Sequence, residues 1–144
     1  MQIKIKRLDK SLPLPEYKTV GSAAFDFYAR DPASILPKSL ARIPSGLIIE
    51  TPPGHVLIIS ARSSLAQKKG LMLANGIGVV DSDYCGPNDE ISLSMYNFTD
   101  QEVMVEKGER LAQGMFIKVE RGVWEEVEEV VNKDRGGFGS TGIK

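Results

Sequence analysis

Short β-branched runs, in which apolar and polar residues alternate, recur along this chain between clusters of Gly, Pro, Asn or Asp and leave it few folds to choose from. A period of two sends successive side chains to opposite faces of an extended strand, so each run buries its apolar face only by packing against another sheet. The clearest strand candidates are Gln2 to Arg7, Arg42 to Glu50, Val56 to Ala61, Glu90 to Asn97, Glu102 to Glu106 and Met115 to Glu120. Together they predict an all-β sandwich or barrel with antiparallel pairing and helix in the minority. Pro52-Pro53-Gly54 and Phe98-Thr99-Asp100 read as hairpin connections, because proline fixes φ while glycine and Asx side chains permit tight reversals.

Ser63 to Gly70 is the best helical stretch, about two turns long, with a serine cap, cations near its end and a terminal glycine. Val123 to Val131 fits helical and strand spacing equally well, and periodicity does not separate the two. From Asn132 onward the chain turns glycine-rich, which predicts a mobile tail over 132–144 attached to a single domain over 1–131. A chain of 144 residues with 42% hydrophobic content is long enough to bury a core without staples.

The 18 basic and 19 acidic residues nearly cancel, which argues against stable binding to nucleic acid or an anionic membrane and makes any phosphate site local. The lone Cys85 and lone His55 provide neither an intrachain disulfide nor the ligands of a protein-held zinc. Met1 to Lys10 interleaves lysines with apolar residues and reads as neither signal peptide nor membrane span, so a soluble, cytoplasmic protein is expected.

Arg62-Ser63-Ser64, between a strand and a short helix, suits a bound phosphate, but taken alone it reads first as a capped helix beside a solvated arginine. Asp81-Ser82-Asp83-Tyr84 follows the apolar run Ile77 to Val80. In an extended chain Asp81 and Asp83 share one face and can divide base and metal roles, yet an Asx-rich turn looks the same. Gly137 to Gly142 matches a dinucleotide fingerprint formally, but no βαβ unit follows, and Ile143 stands where a phosphate-binding loop needs lysine. That tail can instead wrap a ligand, with Ser140 and Thr141 hydroxyls for phosphate oxygens and the Phe138 ring for a base. His55 and Cys85 carry no assigned role.

Read in order, Ala23 to Ala29, Ala61 to Ala66, Asn75 to Gly86, Gly108 to Gln113 and Gly136 to Gly142 resemble the five motifs of the trimeric dUTPase family. The resemblance spans nearly the whole chain. It implies a distorted antiparallel jelly roll assembled as a homotrimer, with Mg²⁺-dependent active sites at subunit interfaces that hydrolyse dUTP to dUMP and pyrophosphate. Asp81 then corresponds to the general base that activates a water for in-line attack on the α-phosphorus. Asn75 corresponds to the side chain that pairs with uracil, with backbone around Val79 and Val80 lining the pocket, and Tyr84 to the ring that excludes a 2′-hydroxyl. Arg62, Ser63, Ser64 and Gln113 correspond to triphosphate-holding positions, and Asp26 to an acidic position that reaches metal-bound water. Phe138 would stack over uracil while Gly139, Ser140 and Thr141 contact phosphates from a neighbouring subunit.

Three departures from the family pattern stand out. Ser64 replaces the usual glycine, Pro87-Asn88-Asp89 is inserted between Gly86 and Glu90, and the arginine of the tail motif is replaced at its position by Lys133, with Arg135 two residues on. Either cation can serve as a phosphate clamp, although lysine lacks the planar fork of arginine. The competing readings are a dCTP deaminase on a related fold and a nucleotide-sensing regulator. Val80 to Tyr84 weighs against the first, and Asp81 together with the Phe138 tail against the second.

Overall fold

The computed structural model describes residues 1–137. The expectations for Phe138, Gly139, Ser140 and Thr141 lie outside the described residues. The described residues form eleven strands and one helix: β1 (Lys4–Arg7), β2 (Phe25–Tyr28), β3 (Ala33–Ile35), β4 (Leu40–Pro44), β5 (Leu47–Glu50), β6 (His55–Ala61), α1 (Leu65–Lys69), β7 (Leu71–Leu73), β8 (Ile77–Val80), β9 (Ser92–Asn97), β10 (Val103–Val105) and β11 (Arg110–Lys118). They form a four-stranded sheet ordered β2-β11-β6-β8, a three-stranded sheet β4-β9-β7, and the pairs β1-β5 and β10-β3. Every pairing is antiparallel. The all-β, jelly-roll-like architecture with one short helix is therefore as expected, and the sheets remain open rather than closing into a barrel.

The inner faces of all four sheets meet in one core. Phe27, Ile43, Leu57, Leu93, Met95 and Leu111 are buried within it. In β11 a glycine is required where the sheet crosses the aromatic layer: a Cβ on Gly114 would lie 2.6 Å from Phe27 Cε2 and 3.0 Å from Phe25 Cζ. Phe25 also packs against Phe116, with ring centroids 5.6 Å apart.

Several expectations need correction. Arg42 to Glu50 is two strands, because Ser45-Gly46 intervenes and Gly46 takes φ +73°, a left-handed conformation suited to glycine. The chain thereby leaves the sheet of β9 and joins β1. Neither expected hairpin forms. Pro52-Pro53-Gly54 links β5 to β6 and Phe98-Thr99-Asp100 precedes β10, in each case joining strands of different sheets. The turn chemistry is real, with the His55 N–H donating to the Pro52 carbonyl at 3.1 Å, but long-range burial chooses the partners. Strand β2 lacks alternation because all four of its residues are buried.

The helix is shorter than expected. Ser64 occupies its N-cap without a side-chain capping bond, while Lys68 and Lys69 occupy the last turn and Gly70 closes it in the left-handed conformation. Residues 119–131 form neither helix nor strand, and Val123 and Trp124 are almost fully exposed. Among the described residues no helix is long and apolar enough to cross a membrane.

Candidate active site

Strand β8 carries the first half of the site. Its antiparallel pairing with β6 sets Ile77 opposite Ser60 and Val80 opposite Leu57, after which the chain turns sharply at Asp81. The Tyr84 N–H donates to the Asp81 carbonyl at 3.2 Å and the Cys85 N–H to the Asp83 carbonyl at 3.0 Å, so Asp81 and Tyr84 belong to one turn. Asn75, Val79, Val80, Asp81 and Tyr84 line a single cleft of about 500 Å³. The fold thus brings these five residues together in space. Arg42, Ser92 and Ser94 from β4 and β9 supply polar groups to the same cleft, a contribution invisible in a linear motif. Asp81 is exposed, which leaves its carboxylate open to water.

The second half gathers where β2, β11 and β6 run side by side. Gln113 lies opposite both Asp26 and Ser60, and its amide donates to the Ala61 carbonyl at 3.2 Å. Asp26, only 9% exposed, accepts from Arg62 Nε at 2.9 Å and from Arg110 Nη1 at 3.1 Å. One buried carboxylate therefore aims two guanidinium groups, each with N–H donors left for phosphate oxygens. Arg62, Ser64, Lys68 and Arg110 share a small hollow of about 160 Å³. Ser63 is exposed beside it. Ser64 adopts φ −95°, so a Cβ in place of the family's glycine brings no backbone strain.

Arg110 was not singled out from the sequence. Regular alternation sends residues three apart to opposite faces, which would separate Arg110 from Gln113. A register shift between Arg110 and Ala112 changes the phase by one residue and brings Arg110 to Asp26.

Asp81 and Arg62 do not meet within one chain. Asp81 lies next to the start of β6, opposite Val56 by continuation of the register, whereas Arg62 follows its end. Six residues of strand at roughly 3.3 Å each put roughly 20 Å between them along the strand axis. The cleft and the hollow share no lining residue. Lys133 and Arg135 are exposed and line neither.

Among the described residues no three His, Cys, Asp or Glu side chains gather to hold a metal ion. Asp26 keeps acceptor capacity beyond its two arginine contacts, since a carboxylate offers about four lone-pair sites. This donor set suits a hard cation that arrives on a polyphosphate and is reached through water, rather than one caged by the protein.

Comparison with known proteins identifies the family. The chain is 38% identical over 149 residues to the deoxyuridine 5'-triphosphate nucleotidohydrolase of Dictyoglomus turgidum, covering 99% of each chain. It is 40% identical over 147 residues to that of Rickettsia conorii, covering 99% of this chain and 97% of the relative. The crystal structure of dUTPase from Streptococcus mutans superposes with a TM-score of 0.74 at 34% identity, over 82% of this chain and 98% of that one. A Staphylococcus bacteriophage 80alpha dUTPase solved with dUPNHPP shares the fold, with a TM-score of 0.87 at 22% identity over 99% of both chains. With the dUTPase family profile matching residues 10–142, on a jelly-roll-like scaffold that groups the motif residues into a cleft and an arginine-lined hollow, the chain belongs to the dUTPase family of nucleotide hydrolases.

Proposed function

We propose that this chain hydrolyses dUTP to dUMP and pyrophosphate at sites assembled between the copies of a homotrimer. The observation that carries the reading is the division of the motif residues. Asn75, Asp81 and Tyr84 line one cleft, while Asp26, Arg62, Arg110 and Gln113 gather at the far end of β6. A nucleoside triphosphate has both a base and a phosphate end to hold, so a cleft from one copy facing the arginines of another completes the site.

In that site Asn75 pairs with uracil through its amide donor and acceptor, and Val79 and Val80 line the base pocket. Tyr84 lies against the deoxyribose and leaves no room for a 2′-hydroxyl. Asp81 takes a proton from a water as that oxygen bonds to the α-phosphorus, and the bond to the β-phosphate bridging oxygen breaks, releasing pyrophosphate. Arg62, Ser63, Ser64, Gln113 and Arg110 hold the phosphates, and Lys133 or Arg135 adds a cationic clamp. Asp26 would reach a triphosphate-bound Mg²⁺ through water, and the ion would supply neutralisation of the developing charge. Phe138 stacks over the uracil, and Gly139, Ser140 and Thr141 contact phosphates as the glycine-rich end of a neighbouring copy closes over the nucleotide, excluding bulk water. In a cytoplasm, whose reducing conditions suit the single cysteine, this reaction limits uracil incorporation into DNA and supplies dUMP for dTMP synthesis.

Mixing two inactive variants tests the shared site. Asp81→Asn and Arg62→Ala, each defective alone, are expected to regain activity when co-expressed or refolded together. Random assembly leaves about a quarter of the sites with both residues intact. Activity that stays at the level of the separate variants, in a mixture shown to contain hybrid oligomers, would place Asp81 and Arg62 in the same copy's site and defeat the interfacial arrangement.

A further inference from the structure

Tyr84 lies outside any strand, is 43% exposed, and donates its hydroxyl to the Glu90 carbonyl at 3.3 Å. That is long for an O–H···O bond and correspondingly weak, but it is the side-chain contact that links the ring to the Glu90 peptide, so a shift of that peptide changes what the ring rests against. The peptide is fixed from the opposite side. Glu90 Oε1 accepts the Gly46 N–H at 2.7 Å, and Oε2 accepts Arg30 Nη1 at 2.7 Å. The Glu90 side chain is only 18% exposed, which strengthens both charge-assisted contacts.

Arg30 is itself held. Its Nε donates to Asp31 at 2.9 Å and its backbone N–H to the Pro44 carbonyl at 2.8 Å. Hydrogen bonding to Asp31 and the nearby Glu90 charge raise the guanidinium's pKa further, against the effect of burial. The left-handed φ of Gly46 turns its N–H toward Glu90, and the Arg30 stem packs 3.4 Å from where a Cβ at Gly46 would stand. The residue following Glu90 is bound on both sides of the same break, with the Ser45 N–H donating to the Ile91 carbonyl at 3.1 Å and the Ile91 N–H to Leu47 at 2.9 Å.

The insertion Pro87-Asn88-Asp89 fits this arrangement. Asp89 Oδ2 accepts the Gly86 N–H at 2.7 Å, and the Asp89 N–H donates to the Gly86 carbonyl at 3.1 Å. The extra residues are closed into their own turn. Tyr84 on one side of that turn and Glu90 on the other then meet through the hydroxyl contact, and the turn that holds Asp81 ends against a fixed peptide.

We propose that Glu90, clamped by Arg30 and the Gly46 N–H, is a positioning residue that sets the depth of Tyr84 against the sugar and so governs discrimination between deoxyribo- and ribonucleoside triphosphates. The inference rests on the reading of Tyr84 as the sugar-facing ring. Exclusion of a hydroxyl by a ring is a contact-distance effect, so a small retreat of the ring admits the ribonucleotide. Glu90 does not line the cleft. Its effect passes through the peptide that Tyr84 reaches.

The test compares kcat/KM for dUTP and UTP in the full chain with Mg²⁺ for wild type, Glu90→Ala, Glu90→Gln and Arg30→Met. Glu90→Ala and Arg30→Met are expected to lower the dUTP-to-UTP ratio by about tenfold, raising KM for dUTP more than they lower kcat. Glu90→Gln restores most of the ratio, since its amide oxygen still accepts the Gly46 N–H. Asn97→Ala, destabilised far from this turn, serves as the control for loss of stability alone and keeps the wild-type ratio. If Glu90→Ala fails to fold, Arg30→Met and Glu90→Gln decide. A wild-type ratio in every soluble variant, or the same fall in Asn97→Ala, overturns the positioning role. A wild type that turns over no dUTP would instead overturn the reading of the site itself.

Discussion

Asp81→Asn is expected to lower dUTP turnover by about 10²–10⁴-fold while leaving affinity for a non-hydrolysable dUTP analogue nearly intact. The substitution keeps the size and planarity of the side chain and removes its capacity to take a proton. Among the described residues Asp81 makes no hydrogen bond or salt bridge through its side chain, and only its backbone carbonyl takes part in the turn with Tyr84. The fold therefore has little to lose. Single-turnover kinetics beside calorimetric binding separate the two effects. Turnover within about twofold of wild type would remove Asp81 as the base.

The largest expected loss of stability comes from Asn97→Ala. Asn97 is fully buried at the end of β9. Its amide nitrogen donates to the carbonyls of Ile35 at 2.9 Å, Leu36 at 3.2 Å and Gln101 at 2.7 Å. Its oxygen accepts the Thr99 N–H at 2.9 Å and the Thr99 hydroxyl at 2.8 Å. One side chain thus ties the end of β3, the end of β9 and the turn leading to β10. Truncation strands several buried groups at once, at a cost of roughly 3–5 kcal/mol. For a domain of this size that is a fall in Tm of roughly 10 °C or more, read by thermal unfolding at fixed protein concentration. Asn97→Asp does not rescue, because it loses the donors and buries a charge. A fall under about 2 °C would contradict the network's role.

What the sequence disclosed depended on how local each signal was. The six alternating runs all contain strands, and the end of α1 was legible because Lys68, Lys69 and Gly70 act within one turn of helix. The break at Ser45-Gly46 was hidden, since isoleucines on both sides continue the β pattern and only the change of partner from β9 to β1 reveals it. Phe25 to Tyr28 hid for the opposite reason: buried throughout, it has no alternation to read. Of the candidate site, the segment from Asn75 to Tyr84 was legible because its residues are contiguous and line one cleft. Arg110 was not, because an irregularity in β11 inverts the face that simple alternation assigns to it. Nor were Arg30 and Glu90, sixty positions apart and joined only when β4 and β9 pair.

The most direct measurement is incubation of the purified protein with Mg²⁺ and, separately, dUTP, dCTP, dTTP or UTP, with nucleotide products, pyrophosphate and ammonia resolved. Conversion of dUTP alone, to dUMP and pyrophosphate in equal amounts, is the expected result. Ammonia from dCTP would assign the cleft to a deaminase, and no turnover of any nucleotide would leave it a binding site without the proposed chemistry.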